Sequence, residues 1–176
     1  MTELKLARAS VSEAGEIFNL VESCRPYLRK WLPWVDSTGG AADTFYFINE
    51  NKDKSLFNGR EIYSIYNNEQ LTGMIDLHNG DSYNKKAEIG YWLAEQFQGK
   101  GIITTACKIL INKAFYEYSI NRMVIRVAVG NIKSQAIPER LGFTHEGIER
   151  SGELIRGIFH DLSVYSMLKE EWKCDI

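Results

Sequence analysis

The chain has 176 residues, 21 of them basic and 23 acidic, for a net charge of −2. That length suits one domain over residues 1–176, with a core large enough to fold without disulfide or metal staples. The near-neutral balance, without a basic block, argues against a nucleic-acid-binding surface, so any affinity for phosphate must come from a local device.

Cys24, Cys107 and Cys174 are odd in number and lack metal-ligand spacing, which points to reduced thiols and no metal. Met1 to Leu6 lacks the apolar core of a signal peptide, and no apolar run reaches membrane-spanning length. A cytoplasmic protein without a membrane partner is therefore expected, with homo-oligomerisation left open.

In chain order, Leu4 to Arg8 alternates and predicts a strand. Ser12 is a candidate cap for a helix reaching Cys24, with Ile17, Leu20, Val21 and Cys24 at helical spacing. Tyr27, Leu28, Trp31, Leu32 and Trp34 form an aromatic-aliphatic patch around Pro26 and Pro33, and a second helix is predicted over Ala41 to Lys54. A meander follows: Glu61 to Tyr66, a turn at Asn67 to Glu69, Leu71 to Leu77, a turn at Asn79 to Ser82, and Lys86 to Leu93. Ile103, Ala106, Cys107, Leu110, Ala114, Phe115 and Tyr118 then mark one face of an amphipathic helix. Met123 to Val129 reads as a strand, Ser134 to Leu141 as a short helix, Thr144 to Glu149 as a strand, and Leu162 to Leu168 as the last strand. This order predicts an α+β, three-layer architecture: a mixed, mostly antiparallel sheet of six to seven strands with helices on both faces.

Chemistry concentrates at the junction Gln96-Phe97-Gln98-Gly99-Lys100-Gly101, just before the long amphipathic helix. The start of a helix exposes N–H groups with no internal partner, and its dipole favours an anion there. Two glycines let a diphosphate approach the backbone and tolerate left-handed conformations. Lys100 either adds charge or points to water. A Walker A loop is excluded, because Gly101 follows Lys100 where Ser or Thr is required. A dinucleotide fingerprint fits poorly, since several strands precede the glycines and Asn121-Arg122 stand near the position of the expected acid. By itself Gly99-Lys100-Gly101 reads as a turn.

Gln96-x-x-Gly99-x-Gly101 resembles the acetyl-coenzyme A (acetyl-CoA) pyrophosphate motif Q/R-x-x-G-x-G/A of the GNAT acetyltransferase superfamily. "AEIGYWL" before it, Asn131-Ile132-Lys133-Ser134 and Leu141-Gly142-Phe143 after it, and the Trp31-Leu32-Pro33-Trp34 segment extend the resemblance over nearly the whole chain. Together they are similar to the Rim branch, the ribosomal-protein N-terminal acetyltransferases. The resemblance implies a GNAT fold and direct transfer of acetyl from acetyl-CoA to a primary amine, as on a ribosomal-protein N-terminus. It implies coenzyme binding by Trp92, Leu93 and Ala94 on a strand opened by a β-bulge that Gly90 eases, by Gln98, Gly99, Lys100, Gly101, Ile102 and Ile103 in the loop, and by Asn131. It further implies Glu153 as the base, ten residues past Phe143, and Ser134 as the acid.

Ordinary roles stand beside these. Glu153 also reads as a solvated hairpin residue within Arg150-Ser151-Gly152-Glu153, and Ser134 as a helix cap. Glu88 and His145 are weaker candidates for the base. The position where many relatives carry an acidic tyrosine is Pro138, read as lying near the helix start. Thr105 replaces a frequent Glu, a change expected to bear on helix electrostatics. Tyr27, Trp31 and Trp34 wall an acceptor groove or belong to the core, and His78, Asn79 and Glu88 sit where a strand end reaches the acceptor. Cys107 reads as a buried, inert thiol. A small-amine acetyltransferase and a non-catalytic coenzyme A sensor remain the alternatives.

Overall fold

The computed structural model describes residues 3–173, so Cys174 lies outside the described residues. The strands are β1 (Leu4–Arg8), β2 (Glu61–Asn67), β3 (Gln70–Asp81), β4 (Lys86–Leu93), β5 (Arg122–Ala128), β6 (Thr144–Ile155) and β7 (Ile158–Leu168). They form one seven-stranded sheet in the order β1-β2-β3-β4-β5-β7-β6. Every neighbouring pair is antiparallel except β4 and β5. The helices are α1 (Ala14–Ser23), α2 (Arg25–Leu28), α3 (Ala41–Asn51), α4 (Ile102–Tyr116) and α5 (Ile132–Arg140).

Side-chain alternation gives the sheet two different faces. Ile65, Ile75, Leu77, Ile89, Leu93 and Ile125 join the main core, together with Ala106, Cys107, Leu110 and Phe115 of α4. Ile62, Leu71 and Met74 face the other way and form a smaller cluster with Ile17 of α1 and Ile48 of α3. Helices therefore cover both faces, as the resemblance implies for a GNAT fold.

The parallel ladder between β4 and β5 is short, running only from Lys86 opposite Arg122 to Glu88 opposite Val124. Beyond it β4 keeps its pairing with β3 as far as Leu93 opposite Gly73, while β5 keeps its pairing with β7 as far as Ala128 opposite Leu162. The two strands thus splay into a wedge bounded by residues 89–93 and 125–128. The expected bulge within β4 is absent; the register shift of the β3–β4 pair lies between His78 and Asp81. Gly90 makes room instead, since a Cβ there would stand 3.1 Å from the Asp76 carboxylate and 3.2 Å from the His78 ring.

Several boundaries differ from the sequence reading. The capping serine is Ser10 and not Ser12, and it caps the 3-10 turn Val11–Glu13 that leads into α1: its hydroxyl accepts the Ser12 N–H at 3.3 Å, while the Glu13 carboxylate accepts the Ser10 N–H at 2.5 Å. The α3 helix ends at Asn51 rather than Lys54. Asn79 and Gly80 belong to β3, and the turn comes later, where Asp81 accepts the N–H groups of Tyr83 and Asn84 at 3.0 and 2.8 Å. Asn131, not Ser134, caps α5, its side chain accepting the Ser134 N–H at 3.3 Å. Pro138 sits inside α5 and not at its start. β6 runs on to Ile155, which puts Glu153 on a strand that turns at Arg156-Gly157, both with positive φ.

Candidate active site

The glycine loop opens α4. Gly99 and Gly101 both have φ of +74°, the left-handed region that favours glycine, and no atom lies within 4 Å of where a Cβ would be. Gly101 is the helix N-cap and brings no capping side chain. The first hydrogen bond of the helix joins Thr105 N–H to the Gly101 carbonyl at 3.0 Å. The amides of Ile102, Ile103 and Thr104 thus have no partner inside the helix. They face a cleft of about 950 Å³ between β4, α4, α5 and the N-terminal aromatic segment, a volume suited to a large cosubstrate. Lys108, Lys133 and Arg140 add positive charge to its lining. The open cradle, the free amides and this local cationic rim fit an elongated ligand bearing a diphosphate.

At the mouth, the Lys133 ammonium donates to Gln98 Oε1 at 3.0 Å and lies 5.6 Å from the Tyr27 ring centroid. Trp31 packs on the backbone just beyond β5; a Cβ on Gly130 would meet its indole at 3.2 Å. Tyr27 and Trp31 therefore line the same cleft as the glycine loop, rather than a separate groove. Trp34 does not line this cleft; its ring centroid lies 6.1 Å from that of Trp92.

Tyr91, Trp92 and Leu93 line the cleft from β4, and Asn131 and Ser134 line it from α5. Two residues assigned to the coenzyme stand apart. Ala94 is fully buried and its N–H is already bonded to the Thr72 carbonyl at 2.9 Å. The Lys100 side chain does not line the cleft and lies over the Phe97 ring at 5.6 Å, so its share of the loop is its backbone. The Tyr91 hydroxyl donates to the Ser134 carbonyl at 3.2 Å, and Ser134 Oγ donates to the Tyr91 hydroxyl at 3.3 Å. Burial pushes the Tyr91 phenol up. Beside it, the fully buried Cys107 thiol is also pushed up by burial, as befits an inert core residue.

Glu153 and Glu88 occupy the opposite face of the sheet. Trp92 opposite Met74, Gly90 opposite Asp76 and Glu88 opposite His78 share that face. His78 Nδ1 contacts Asp76 Oδ1 at 2.6 Å, and its Nε2 lies 3.7 Å from Glu88 Oε2. Arg126 pairs with Glu88 and, at 3.0 Å, with Glu149. Glu88 is thereby held in an ion pair with a guanidinium. Along β7, His160 shares the face of Leu162 and Val164 and lies opposite Glu153. Burial raises the Glu153 pKa, opposed by the charge of His160. The hairpin tip reaches the N-terminal segment, where Arg156 Nε lies 3.7 Å from Asp36. His145 packs against Tyr165 instead, ring centroids 5.0 Å apart. Asn79, with φ of +51°, lies at the β3 irregularity.

The sequence reading passed over Lys108, Lys133, Arg140, Asp76, Arg126 and the Tyr91 hydroxyl. Lys133 lies inside the Asn131-to-Ser134 motif and was the most accessible of these. The others depend on contacts between distant segments, such as Arg140 Nη1 donating to Thr104 Oγ1 at 3.0 Å.

The profile of the acetyltransferase (GNAT) domain matches residues 3–144. YdaF of Bacillus subtilis (strain 168), provisionally named a ribosomal N-acetyltransferase, is 44% identical over 164 residues, covering 92% of this chain and 88% of that protein. The ribosomal-protein-serine acetyltransferase of Escherichia coli (strain K12) is 27% identical over 165 residues, covering 94% and 92% respectively. The structure of RimL, a ribosomal L7/L12 alpha-N-protein acetyltransferase in complex with coenzyme A, superposes with a TM-score of 0.90 at 28% identity, covering 96% of this chain and 95% of that one. No helix among the described residues is long and apolar enough to cross a membrane. With the family profile matching most of its length and such relatives matching nearly all of it, the chain belongs to the GNAT acetyltransferases and is an N-acetyltransferase.

Proposed function

We propose that this enzyme uses acetyl-CoA to acetylate the N-terminal α-amine of a protein, with a ribosomal protein as the favoured acceptor. The observation that carries this reading is the early end of the β4–β5 ladder, after Glu88 and Val124. It leaves a wedge between the cleft holding the glycine loop and Ser134 and the face holding Glu153. The amides of Ile102, Ile103 and Thr104 would hold the diphosphate, with Lys108, Lys133 and Arg140 around it. The unpaired edges of β4 and β5 would hold the pantetheine amides. Bound there, acetyl-CoA supplies the activated acetyl thioester.

The chain's own residues then divide the proton work by face. Glu153 takes a proton from the acceptor ammonium, directly or through water; burial makes its carboxylate a better base. Ser134 Oγ holds the proton destined for the departing sulfur. Placing base and acid on opposite faces keeps them from exchanging that proton with each other. The ribosomal-protein preference rests on the named activities of the relatives. A small polycationic amine is the second reading, because Asp76, Glu88, Glu149 and Glu153 share the acceptor face with the guanidinium groups of Arg60 and Arg126.

The test is a screen of purified enzyme with labelled acetyl-CoA against ribosomal-protein N-terminal peptides and small amines. Label on the peptide α-amine supports the proposal, and label only on small amines selects the second reading. Calorimetry with acetyl-CoA and NAD separates both from an oxidoreductase. Binding of acetyl-CoA with no acceptor turned over would mark a coenzyme sensor.

A further inference from the structure

Pro138 creates a gap in α5 that another strand fills. In a regular helix the N–H of residue 138 would bond to the carbonyl of residue 134. Proline has no N–H to give. The Tyr91 hydroxyl reaches across from β4 and donates to that same Ser134 carbonyl at 3.2 Å, while accepting from Ser134 Oγ at 3.3 Å. One phenol therefore holds both the main chain and the side chain of Ser134. Its anchor is firm, because Tyr91 is paired with Ile75 on β3 although its other edge opens on the wedge.

We infer that Tyr91 is a positioning residue for the acid step, fixing the Ser134 hydroxyl at the wall of the coenzyme cleft in place of the helical bond that Pro138 removes. The inference rests on the reading of Ser134 as the proton donor to sulfur. An untethered serine hydroxyl would divide its time among three staggered rotamers; the bond to Tyr91 selects one. As the C–S bond breaks and the N–C bond forms, the Ser134 O–H turns from the Tyr91 oxygen, to which it donates at rest, towards the sulfur and passes its proton there: the O–H bond breaks and an S–H bond forms. The Tyr91 O–H, already at 3.3 Å from Ser134 Oγ, turns from the carbonyl to support the oxygen left behind. A solvent proton then restores the serine. In this reading Tyr91 acts through Ser134 and does not itself protonate the sulfur.

A paired set of variants separates this role from simple satisfaction of a carbonyl. Tyr91→Phe keeps the ring and removes both hydrogen bonds. Pro138→Ala restores an N–H for the Ser134 carbonyl. Without ligand, the melting temperature of Tyr91→Phe should fall and recover in Tyr91→Phe/Pro138→Ala. The kcat of that double variant should stay about tenfold below Pro138→Ala, with acetyl-CoA affinity by calorimetry within about twofold. In a Ser134→Ala background the same change at Tyr91 should cost no further kcat. If kcat recovers together with the melting temperature, Tyr91 only satisfies the carbonyl and the inference is overturned. If Ser134→Ala alone keeps wild-type turnover, the acid assignment fails and takes the positioning role with it. A slow Ser134→Ala beside a fully active double variant sinks the Tyr91 role alone.

Discussion

Glu153 carries opposite consequences for activity and for stability. Burial raises its pKa, which suits it to the base role proposed for it and makes its charged form costly in the fold. An acid with a raised folded pKa contributes stability below its unfolded pKa and loses that contribution as pH rises through the folded value. At neutral pH the ionised carboxylate is therefore a net cost. Glu153→Gln should lower kcat by about 10²-fold with coenzyme affinity unchanged, and raise the melting temperature at neutral pH. The stability gap should close on acidification below the ordinary carboxylate range. Unchanged turnover would remove Glu153 from the chemistry; a lower melting temperature at neutral pH would contradict the burial argument. At the glycine loop the expectation rests on backbone geometry. Gly101 has φ of +74° with open space around its missing Cβ, so valine there meets no atom of the protein but strains the backbone and intrudes on the cradle. A strain of about 1–2 kcal/mol that the ligand-bound loop must bear corresponds to about fivefold to thirtyfold in affinity. Gly101→Val should lose that much acetyl-CoA binding by calorimetry. Lys100→Ala should change it less than about twofold, because the Lys100 side chain lies on Phe97.

Elements with one buried face were legible in the sequence, and exposed or paired ones were not. The buried stripe of α4, from Ile103 to Phe115, is continuous, and helical periodicity found it without help. Of β6 only the first half, Thr144 to Glu149, was legible as a strand; its continuation to Ile155 was not, since most of its residues are exposed. Its Arg150-Ser151-Gly152 run reads as a turn but is an irregularity within the strand, where the β6–β7 register shifts between Glu149 and Glu153. The sequence could not place Tyr27 and Trp31 in the cleft of the glycine loop either, because that depends on where α2 and the segment after it dock against a loop about a hundred residues later. Charged pairs between strands were equally hidden. Arg122 of β5 grips Glu146 of β6 with two hydrogen bonds of 2.6 and 2.5 Å, and Ser166 of β7 donates to the same carboxylate at 2.8 Å. The Arg122 guanidinium is the chief cause that holds the Glu146 carboxyl down at about 2. Because this folded pKa is depressed, its stabilisation is present above the unfolded value and is lost as pH falls through about 2. Glu146→Gln should cost less than about 1 kcal/mol at neutral pH, since the pair is partly exposed and screened by water. The difference from wild type in urea unfolding should shrink as pH falls from 4.5 towards 2. A difference that stays constant over that range would mean that the Arg122–Glu146 charge pair is not what stabilises the three strands.

At the scale of the whole molecule, the sheet consists of two wings joined by three residue pairs. One wing is β1 to β4 and the other is β5, β7 and β6, joined through the ladder from Lys86–Arg122 to Glu88–Val124. Each wing has its own antiparallel pairing and does not need the other to satisfy most of its backbone. The wedge edges are the exception: backbone groups of residues 89–93 and 125–128 that face it have no strand partner across it. Such groups are normally paired or solvated, and a ligand with its own amides can take the place of water there. A coenzyme that bridges the wedge should stabilise the fold by mass action, by about 2.7 kcal/mol at a hundredfold excess over its Kd. The distribution of that stabilisation is the sharper test. Hydrogen exchange with acetyl-CoA should protect the wedge-facing amides of residues 89–93 and 125–128, and the amides of Ile102, Ile103 and Thr104, beyond the rest of the chain. It should leave the exchange of the β1–β2 pair, far from the wedge in the strand order, governed by global unfolding alone. Protection confined to the α4 start would mean that the diphosphate is held but the pantetheine does not bridge the strands, and the wedge would then have no part in presenting the thioester.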